Sequence, residues 1–333
     1  MQLNSEQYLS NTNGTKKMKL SVIVPAFNVE NYIHSCLTSL LNQHTAFDFE
    51  VIVSDDASQD ATAREIKKLQ ASYDNLTALF KQKNEGLPGN LRSLINYAKG
   101  EYVAYLDGDD LALPNKLQRQ VEYLDRHKNC SLVYHESEVF DSETDKTIKN
   151  YSTTSYNWHN IPNKANVLHL IKYGTFMQAS SVMFRNHEAI CETVPSNCKF
   201  ILDYPFYILN AGYLGGTIDF IPEVFGRYRM HSSSFTQQTK ASNRRREQSL
   251  DDMINACRNA SRFGIHPDII ANGIAHHNYA AALYFLKKND SKRFQKYIYK
   301  SVEGGTFVNS MHELFWRERH NHIKLASLTK DLQ

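Results

Sequence analysis

Three carboxylates, Asp107, Asp109 and Asp110, stand within four consecutive positions of the stretch AYLDGDDLALP, directly after an apolar run. Charges that repel one another at this spacing are tolerated where a cation compensates them. An oxygen-only donor set suits Mg²⁺ or Mn²⁺, which commonly bridge a few carboxylates and a substrate diphosphate. Such an ion would neutralise a departing phosphate as a Lewis acid. The plainer alternative is a solvated acidic turn that caps the following helix. A second acidic pair, Asp55 and Asp56 in EVIVSDDAS, favours the ligand reading if it shares an edge with the first. Asp56 could then accept a hydrogen bond from a base or ribose, with helix capping as its competing role.

The elements that must position these acids follow from hydrophobic patterning. LSVIVPAF is a short β-branched run, and the next segment repeats Tyr32, Cys36, Leu37, Leu40 and Leu41 at helical spacing. FEVIVSDDAS gives a second strand, followed by a helix over Ala61 to Leu69. LTALFKQ gives a third strand, NEGLPGN a Gly/Pro turn, LRSLINYAKG a helix and EYVAYLDGDD a fourth strand. Strand and helix in alternation, with apolar strands, imply an α/β fold whose mostly parallel sheet is covered on both faces. Ligands of open parallel sheets bind beyond the carboxyl ends of the strands, where PAFN, SDDAS and DGDD all fall. A helix is expected from Pro114 to about Lys128, then a strand in CSLVYHESEVF. Residues 141–166 read as a long polar excursion, and FMQASSVMFR as a returning strand. Beyond Thr239 the pattern is mostly helical, broken at Pro267 and at Gly304-Gly305.

Four stretches together, SVIVPAFNVENYI, EVIVSDDASQDAT, NEGLPGN and GEYVAYLDGDDLALPNKL, resemble the inverting nucleotide-sugar glycosyltransferases of family 2, in that family's order and spacing. The resemblance covers roughly residues 19–125 and implies a GT-A fold, Rossmann-like with a C-terminal helical extension. It implies that Asp107, Asp109 and Asp110 form the metal and nucleotide-diphosphate motif, with Asp109 and Asp110 as metal ligands, and that Asp56 is the nucleoside-binding acid. Pro25, Phe27 and Asn28 resemble the segment along which the nucleotide lies, and Asn84, Gly86 and Asn90 its neighbour. Further on, Asp203 in FILDYPFYILNAGY resembles the general base, although Leu202 replaces the first acid of the usual Glu-Asp pair. YRMHSSSFT resembles the Tyr-Arg-x-His-x-x-Ser element, which places Arg229 at the donor and His231 at the metal or diphosphate. The implied domains are a leader over 1–17, a transferase domain over 18–238 and a helical region over 239–333. Within the transferase domain, 18–128 would bind nucleotide and 129–238 the acceptor.

The reaction implied is transfer of a sugar, from a UDP-sugar by preference, to a hydroxyl of a glycan or lipid-linked glycan in bacterial surface polysaccharide assembly, with Mn²⁺ or Mg²⁺ as cofactor. Gln178, Ser180 and Trp158 are candidates for reading the acceptor. Tyr151, Tyr156, Tyr173 and Phe176 are candidates for a sugar-facing groove, against the rival role of core packing. A nucleotidyl- or phosphoryl-transferring enzyme would also use acidic metal loops, but neither a Walker A sequence nor a GxGxxG opening a helix is present. A non-catalytic carbohydrate-binding protein on this fold is the alternative of a different class.

Composition bounds the rest. The net charge of +3, from 38 Lys+Arg against 35 Asp+Glu, gives no global preference for nucleic acid. Five cysteines without CxxC spacing fit reduced thiols, and the polar first twenty residues hold no apolar signal-peptide core, so a cytoplasmic protein is expected. Basic stretches in NRRREQ, with Lys240, and in FWRERHNHIK could rest on anionic head groups of the inner membrane if the acceptor is lipid-linked. A solvated helix face or a homodimer contact are the competing readings.

Overall fold

The computed structural model describes residues 18–330 apart from 156, 157, 196, 197, 199, 201, 233, 235–238, 240 and 241. The expected leader over 1–17, Tyr156, Lys240 and part of SSSFT lie outside the described residues. Four parallel strands open the fold: β1 (Leu20–Ala26), β2 (Phe49–Asp55), β3 (Leu76–Phe80) and β4 (Tyr102–Tyr105), ordered β3-β2-β1-β4 in space. They alternate with α1 (Ile33–Leu41), α2 (Thr62–Gln70) and α3 (Gly86–Tyr97), as the patterning predicts. Pro25 is tolerated in β1 because β4 pairs only with Leu20 to Ile23, so no ladder bond on that side needs its missing N–H.

After β5 (Leu111–Ala112), α4 (Lys116–Arg126), β6 (Cys130–Asp141), β7 (Thr147–Asn150), β8 (Lys164–Ala165), α5 (Val167–Tyr173) and β9 (Val182–Arg185), the chain returns through α6 (Asp203–Leu214) and β10 (Thr217–Met230). Antiparallel β9 joins the two halves by pairing with both β4 and β6, and β6 runs parallel to the long β10. Side chains alternate across the sheet. Val22, Val24, Val51 and Val53 face a core shared with α1, α2 and α4, whereas Ile23, Ile52 and Val103 face a core shared with α3, α5 and α6.

Three local expectations are corrected. Within NEGLPGN, Gly86 onward is already the first turn of α3 rather than a separate turn, because Pro88 lies where a helix leaves N–H groups without partners. Residues 141–166 are not structureless: Thr147–Asn150 folds back on β6 as an edge strand. Residues 176–181, read as the start of a strand, form a loop and a short 3₁₀ turn over Ala179–Ser181 before β9.

The C-terminal helices α7 (Asn243–Asn259), α8 (Pro267–Lys287), α9 (Ser291–Lys300), α10 (Ser310–Arg317) and α11 (His322–Lys330) share a core of their own. They are also attached to the sheet: Ala256, Cys257 and Ala260 belong to the core beneath α5 and α6. Gly273 of α8 lies against α5 so closely that a Cβ there would meet Ile171 O at 2.5 Å. Pro267 starts α8 rather than breaking a helix, a first-turn position that suits it.

Candidate active site

The carboxyl ends of β1, β2 and β3 form one cross-linked edge. Asn28, in a left-handed conformation, donates its N–H to Ser58 Oγ at 2.9 Å and accepts from Gln59 N at 2.9 Å. Ser58 Oγ in turn donates to Asp55. Asp56 donates its N–H to Ala26 O and accepts the N–H of Glu85 at 2.9 Å. Burial raises its carboxyl above the ordinary range, against the opposing pull of the Glu85 and Gly86 N–H groups. Asn84 accepts from Gly86 N, and Phe27, at the end of β1, is 46% exposed. Asn90 is buried and donates to Ser54 O, so it ties α3 to β2 instead of presenting its side chain at the edge.

The DGDD loop meets this edge at Gly108, where a Cβ would stand 2.9 Å from Pro25 O. Its acids then part company. Asp110, expected as a metal ligand, is 0% exposed and has both oxygens on protein donors. Oδ2 accepts from Gln178 Nε2 at 2.8 Å and Ser180 Oγ at 2.6 Å, and Oδ1 from Arg229 N at 2.8 Å. Burial, then Asp109 and Asp107, push its carboxyl well above the usual range, while the Ser180 and Arg229 bonds oppose the shift. Gln178 and Ser180 therefore brace Asp110, and Gln178 also lines the cavity described below. Ser180 Oγ also accepts Asp107 N at 2.9 Å.

Arg229 is likewise a brace, with Nε donating to Asp109 O at 2.7 Å and its guanidinium 4.8 Å over the Tyr32 ring and 4.7 Å over Phe140. Tyr32, counted among the core positions of the first helix, caps α1 and turns to this side.

Beneath the loop lies a residue the sequence did not single out. Lys116 is 0% exposed and donates to Ser180 O and, at 2.7 Å, to His135 Nε2. His135 Nδ1 lies 2.7 Å from Glu136 O, so the imidazole is placed to accept on one nitrogen and donate on the other. Burial lowers the Lys116 amine to about 7, and the Asp110 charge opposes that shift. A lysine following Pro-Asn on an amphipathic helix carries no sequence signal of burial, because its partners come from β6 and the loop before β9.

Asp109 keeps the opposite orientation. Its Oδ2 lies 2.9 Å from His231 Nε2, and the His231 ring packs 4.8 Å from that of Tyr32. Among the described residues no group of three or more His, Cys, Asp or Glu side chains converges into a complete metal site. The donors present, Asp109 with His231 beside it and Asp107 nearby, fit a hard ion that takes one or two protein ligands and completes its shell with substrate phosphate and water.

Asp107, Asp109 and Asp203 line one cavity of about 340 Å³. Asp203 opens α6, and burial raises its carboxyl while the N–H of Tyr204 pulls it back. Asp107 is raised to about 7 by burial and by Asp109 and Asp203, although Tyr105 donates to it at 2.6 Å. Leu202, in place of an acid, is buried in the core. Tyr151 lines the cavity edge-on to Tyr228, held there as Glu136 accepts the N–H groups of Ser152 and Thr153. Tyr105, Tyr207 and Arg246 share the wall and were not foreseen. Trp158 does not reach the cavity lining: it packs edge-on against Phe220 at 4.8 Å. Phe176 is buried against Tyr134, and Tyr173 packs on the same core.

A parallel sheet whose carboxyl edge carries a DGDD loop held under a Tyr-Arg-x-His strand end defines a GT-A glycosyltransferase fold. The chain belongs to glycosyl transferase family 2, whose model matches residues 21–191. An uncharacterized protein of Mycobacterium tuberculosis is 31% identical over 228 residues, 66% of this chain and 63% of that protein. The chain thus spans somewhat under two thirds of that relative's length. A poly(ribitol-phosphate) beta-glucosyltransferase of Bacillus spizizenii is 38% identical over 95 residues, 28% of this chain and 15% of that one. Among solved structures, S. aureus TarS in complex with UDP-GlcNAc superposes with a TM-score of 0.65 at 16% identity, covering 94% of this chain and 89% of the other. A mannosyltransferase of Pyrobaculum calidifontis, solved with GDP-Man and Mn²⁺, gives 0.55 at 16%, covering 95% and 88%. No helix among the described residues is long and apolar enough to cross a membrane.

Proposed function

We propose that the protein is an inverting, divalent-metal-dependent glycosyltransferase that moves a sugar from a nucleotide-sugar donor to a hydroxyl of a glycan or lipid-linked glycan, in the assembly of a bacterial surface polysaccharide. The observation that carries this reading is the shared cavity in which Asp203, partly desolvated at the start of α6, faces the space that Asp107 and Asp109 also line.

The cross-linked edge of β1 to β3 receives the nucleoside, with Asp56 and the Pro25 to Asn28 segment along it. Asp109 and His231 would hold Mn²⁺ or Mg²⁺, which would supply Lewis-acid neutralisation of the leaving phosphate. Asp203 accepts the proton of the acceptor hydroxyl. That oxygen forms the new bond to the anomeric carbon as the bond to the diphosphate breaks on the opposite face, which inverts the configuration. A carboxyl raised by burial suits a base working near neutral pH. Structural neighbours hold UDP-GlcNAc in one case and GDP-Man in another, so the fold accommodates both carriers, and UDP is the one to test first.

Thermal shift with UDP, GDP and CMP, each with and without Mn²⁺, tests the donor side. Metal-dependent stabilisation by one nucleotide is expected, and at a concentration a hundredfold above Kd it amounts to about 2.7 kcal/mol. Stabilisation by none of the three would sink the reading.

A further inference from the structure

We propose that Gln178 reads the donor sugar: its side-chain oxygen accepts a hydrogen bond from one hydroxyl of the hexose carried by the nucleoside diphosphate. The proposal rests on the transferase reading above and names a specificity-determining residue of that same site.

An amide side chain has two unlike ends, a donor NH₂ and an acceptor oxygen, and its neighbours decide which way it turns. At Gln178 the choice is made by Asp110. Asp110 Oδ2 also accepts from Ser180 Oγ, and Oδ1 from Arg229 N, so the carboxylate is an acceptor to each partner and Gln178 Nε2 faces it at 2.8 Å. Oε1 is the end turned away from Asp110, and among the described residues it has no hydrogen-bond partner. Gln178 is only 3% exposed, and it lines the cavity with Asp107, Asp109 and Asp203. An acceptor so nearly buried is costly to leave unmet, and a ligand in the cavity is placed to meet it.

The amide is also fixed before any ligand arrives. Gln178 O accepts from Ser181 N at 3.0 Å and Ser181 Oγ at 2.6 Å. Lys116 donates to Ser180 O, and Gln120 Nε2 donates to Ser181 O at 2.8 Å. Two fully buried side chains of α4 therefore clamp the turn that follows Gln178. A group held in this way loses little freedom on binding and discriminates by position.

Placement selects the ligand. In the proposed reaction the donor sugar is bonded to the phosphate that the DGDD loop receives, so it occupies the part of the cavity next to those acids. Gln178 is joined to Asp110 directly, and Ser180, two residues on, accepts Asp107 N at 2.9 Å, which puts Gln178 on the donor side. An oxygen there bonds a hydroxyl and is left unmet by a carbon that bears only hydrogen, so a sugar deoxygenated at the facing carbon is disfavoured.

The test uses the full chain with Mn²⁺ and whichever carrier, UDP or GDP, gives the metal-dependent shift. Calorimetry supplies dissociation constants for the diphosphate alone, for its glucosyl, galactosyl and mannosyl forms, and for each singly deoxygenated derivative of the tightest of these. One derivative should bind about three- to tenfold more weakly than its parent sugar. Gln178→Met, which has neither end of the amide, should bring that ratio close to one. Gln178→Glu keeps an oxygen toward the cavity and loses the donor to Asp110, so it should retain the ratio even where its affinity for the diphosphate alone falls. A role confined to bracing Asp110 predicts that both variants weaken diphosphate and sugar forms alike, with the ratio unchanged, and that result overturns the proposal. So does loss of the ratio in Gln178→Glu as well as in Gln178→Met. If neither variant folds, the wild type decides: a cost below about threefold for every derivative refutes a fixed acceptor at the sugar. Absence of the metal-dependent shift with either carrier is a failure of the transferase reading, and it is read separately.

Discussion

Asp110→Asn separates a metal ligand from a structural brace. The substitution keeps shape and removes charge, so its cost depends on what surrounds the carboxylate. In this protein both oxygens accept, from Gln178, Ser180 and Arg229 N, at 2.6–2.8 Å, and the residue is fully buried. An asparagine has one oxygen and one NH₂ group. Whichever way it turns, its NH₂ meets N–H or O–H donors, and at least one buried donor is left without an acceptor. An orphaned donor costs about 1–3 kcal/mol, and breaking a buried charge pair about 3–5 kcal/mol. Lys116 faces Asp110 through charge rather than contact and can shed its proton, so a total of about 2–5 kcal/mol is expected. For a chain of this size that is a fall in melting temperature of about 3–7 °C. The assay is thermal unfolding in excess chelator without nucleotide, with Asp109→Asn alongside. Relief of repulsion at Asp109, which keeps its orientation toward the cavity, leaves that variant level with the wild type or above it. If Asp110→Asn without metal melts at or above the wild type while Mn²⁺-dependent nucleotide binding disappears, the brace assignment is wrong and Asp110 is a ligand.

Asp203→Asn should lower transfer at least a hundredfold while leaving the nucleotide thermal shift nearly intact, because general-base catalysis contributes about 10²–10⁴-fold; loss of both would mean that Asp203 supports the donor site and is not the base. For Asp107, the folded carboxyl is raised from 3.8 to about 7. Between roughly pH 4 and 7 the folded protein then holds a proton that the unfolded chain has released, so the contribution of Asp107 to stability is present at low pH and is lost as pH rises through 7. Comparing metal-free wild type with Asp107→Asn, the melting-temperature difference should move against the wild type from pH 5 to 8, and a pH-independent difference refutes the assignment.

What the sequence revealed is what the chain encodes locally. Each of β1 to β4 is an apolar run closed by its own loop, so period and turn residues suffice to order the edge that carries Asp56 and DGDD. The side chains of Asp110, Ser180 and Trp158 turn into the support, and Gln178 bonds Asp110 while lining the cavity, directions the sequence does not encode for a common reason: a polar or aromatic side chain near a ligand edge can point into the cavity or into its support. Only contacts between segments some 70 to 120 residues apart decide which. The strand Thr147–Asn150 escaped notice because an exposed edge strand has no buried face and so no alternation to detect. Arg246 was visible as part of a basic helix, but its place on the cavity wall depends on how α7 docks beneath α6.

The same contacts show how three acids are accommodated at the end of a buried strand. Asp110 is turned inward onto three donors above the Lys116 amine. Asp107 has a hydroxyl donor in Tyr105 and a proton affinity that rises to about 7. Asp109 pairs with His231 at 2.9 Å. Each charge is met by a different element, α4 and the loop before β9, β4, and the residue after β10, so repulsion is divided before any substrate arrives. If the proposed ion binds here, its affinity should depend on the diphosphate that supplies the remaining oxygens, which makes ion and donor binding two parts of one equilibrium.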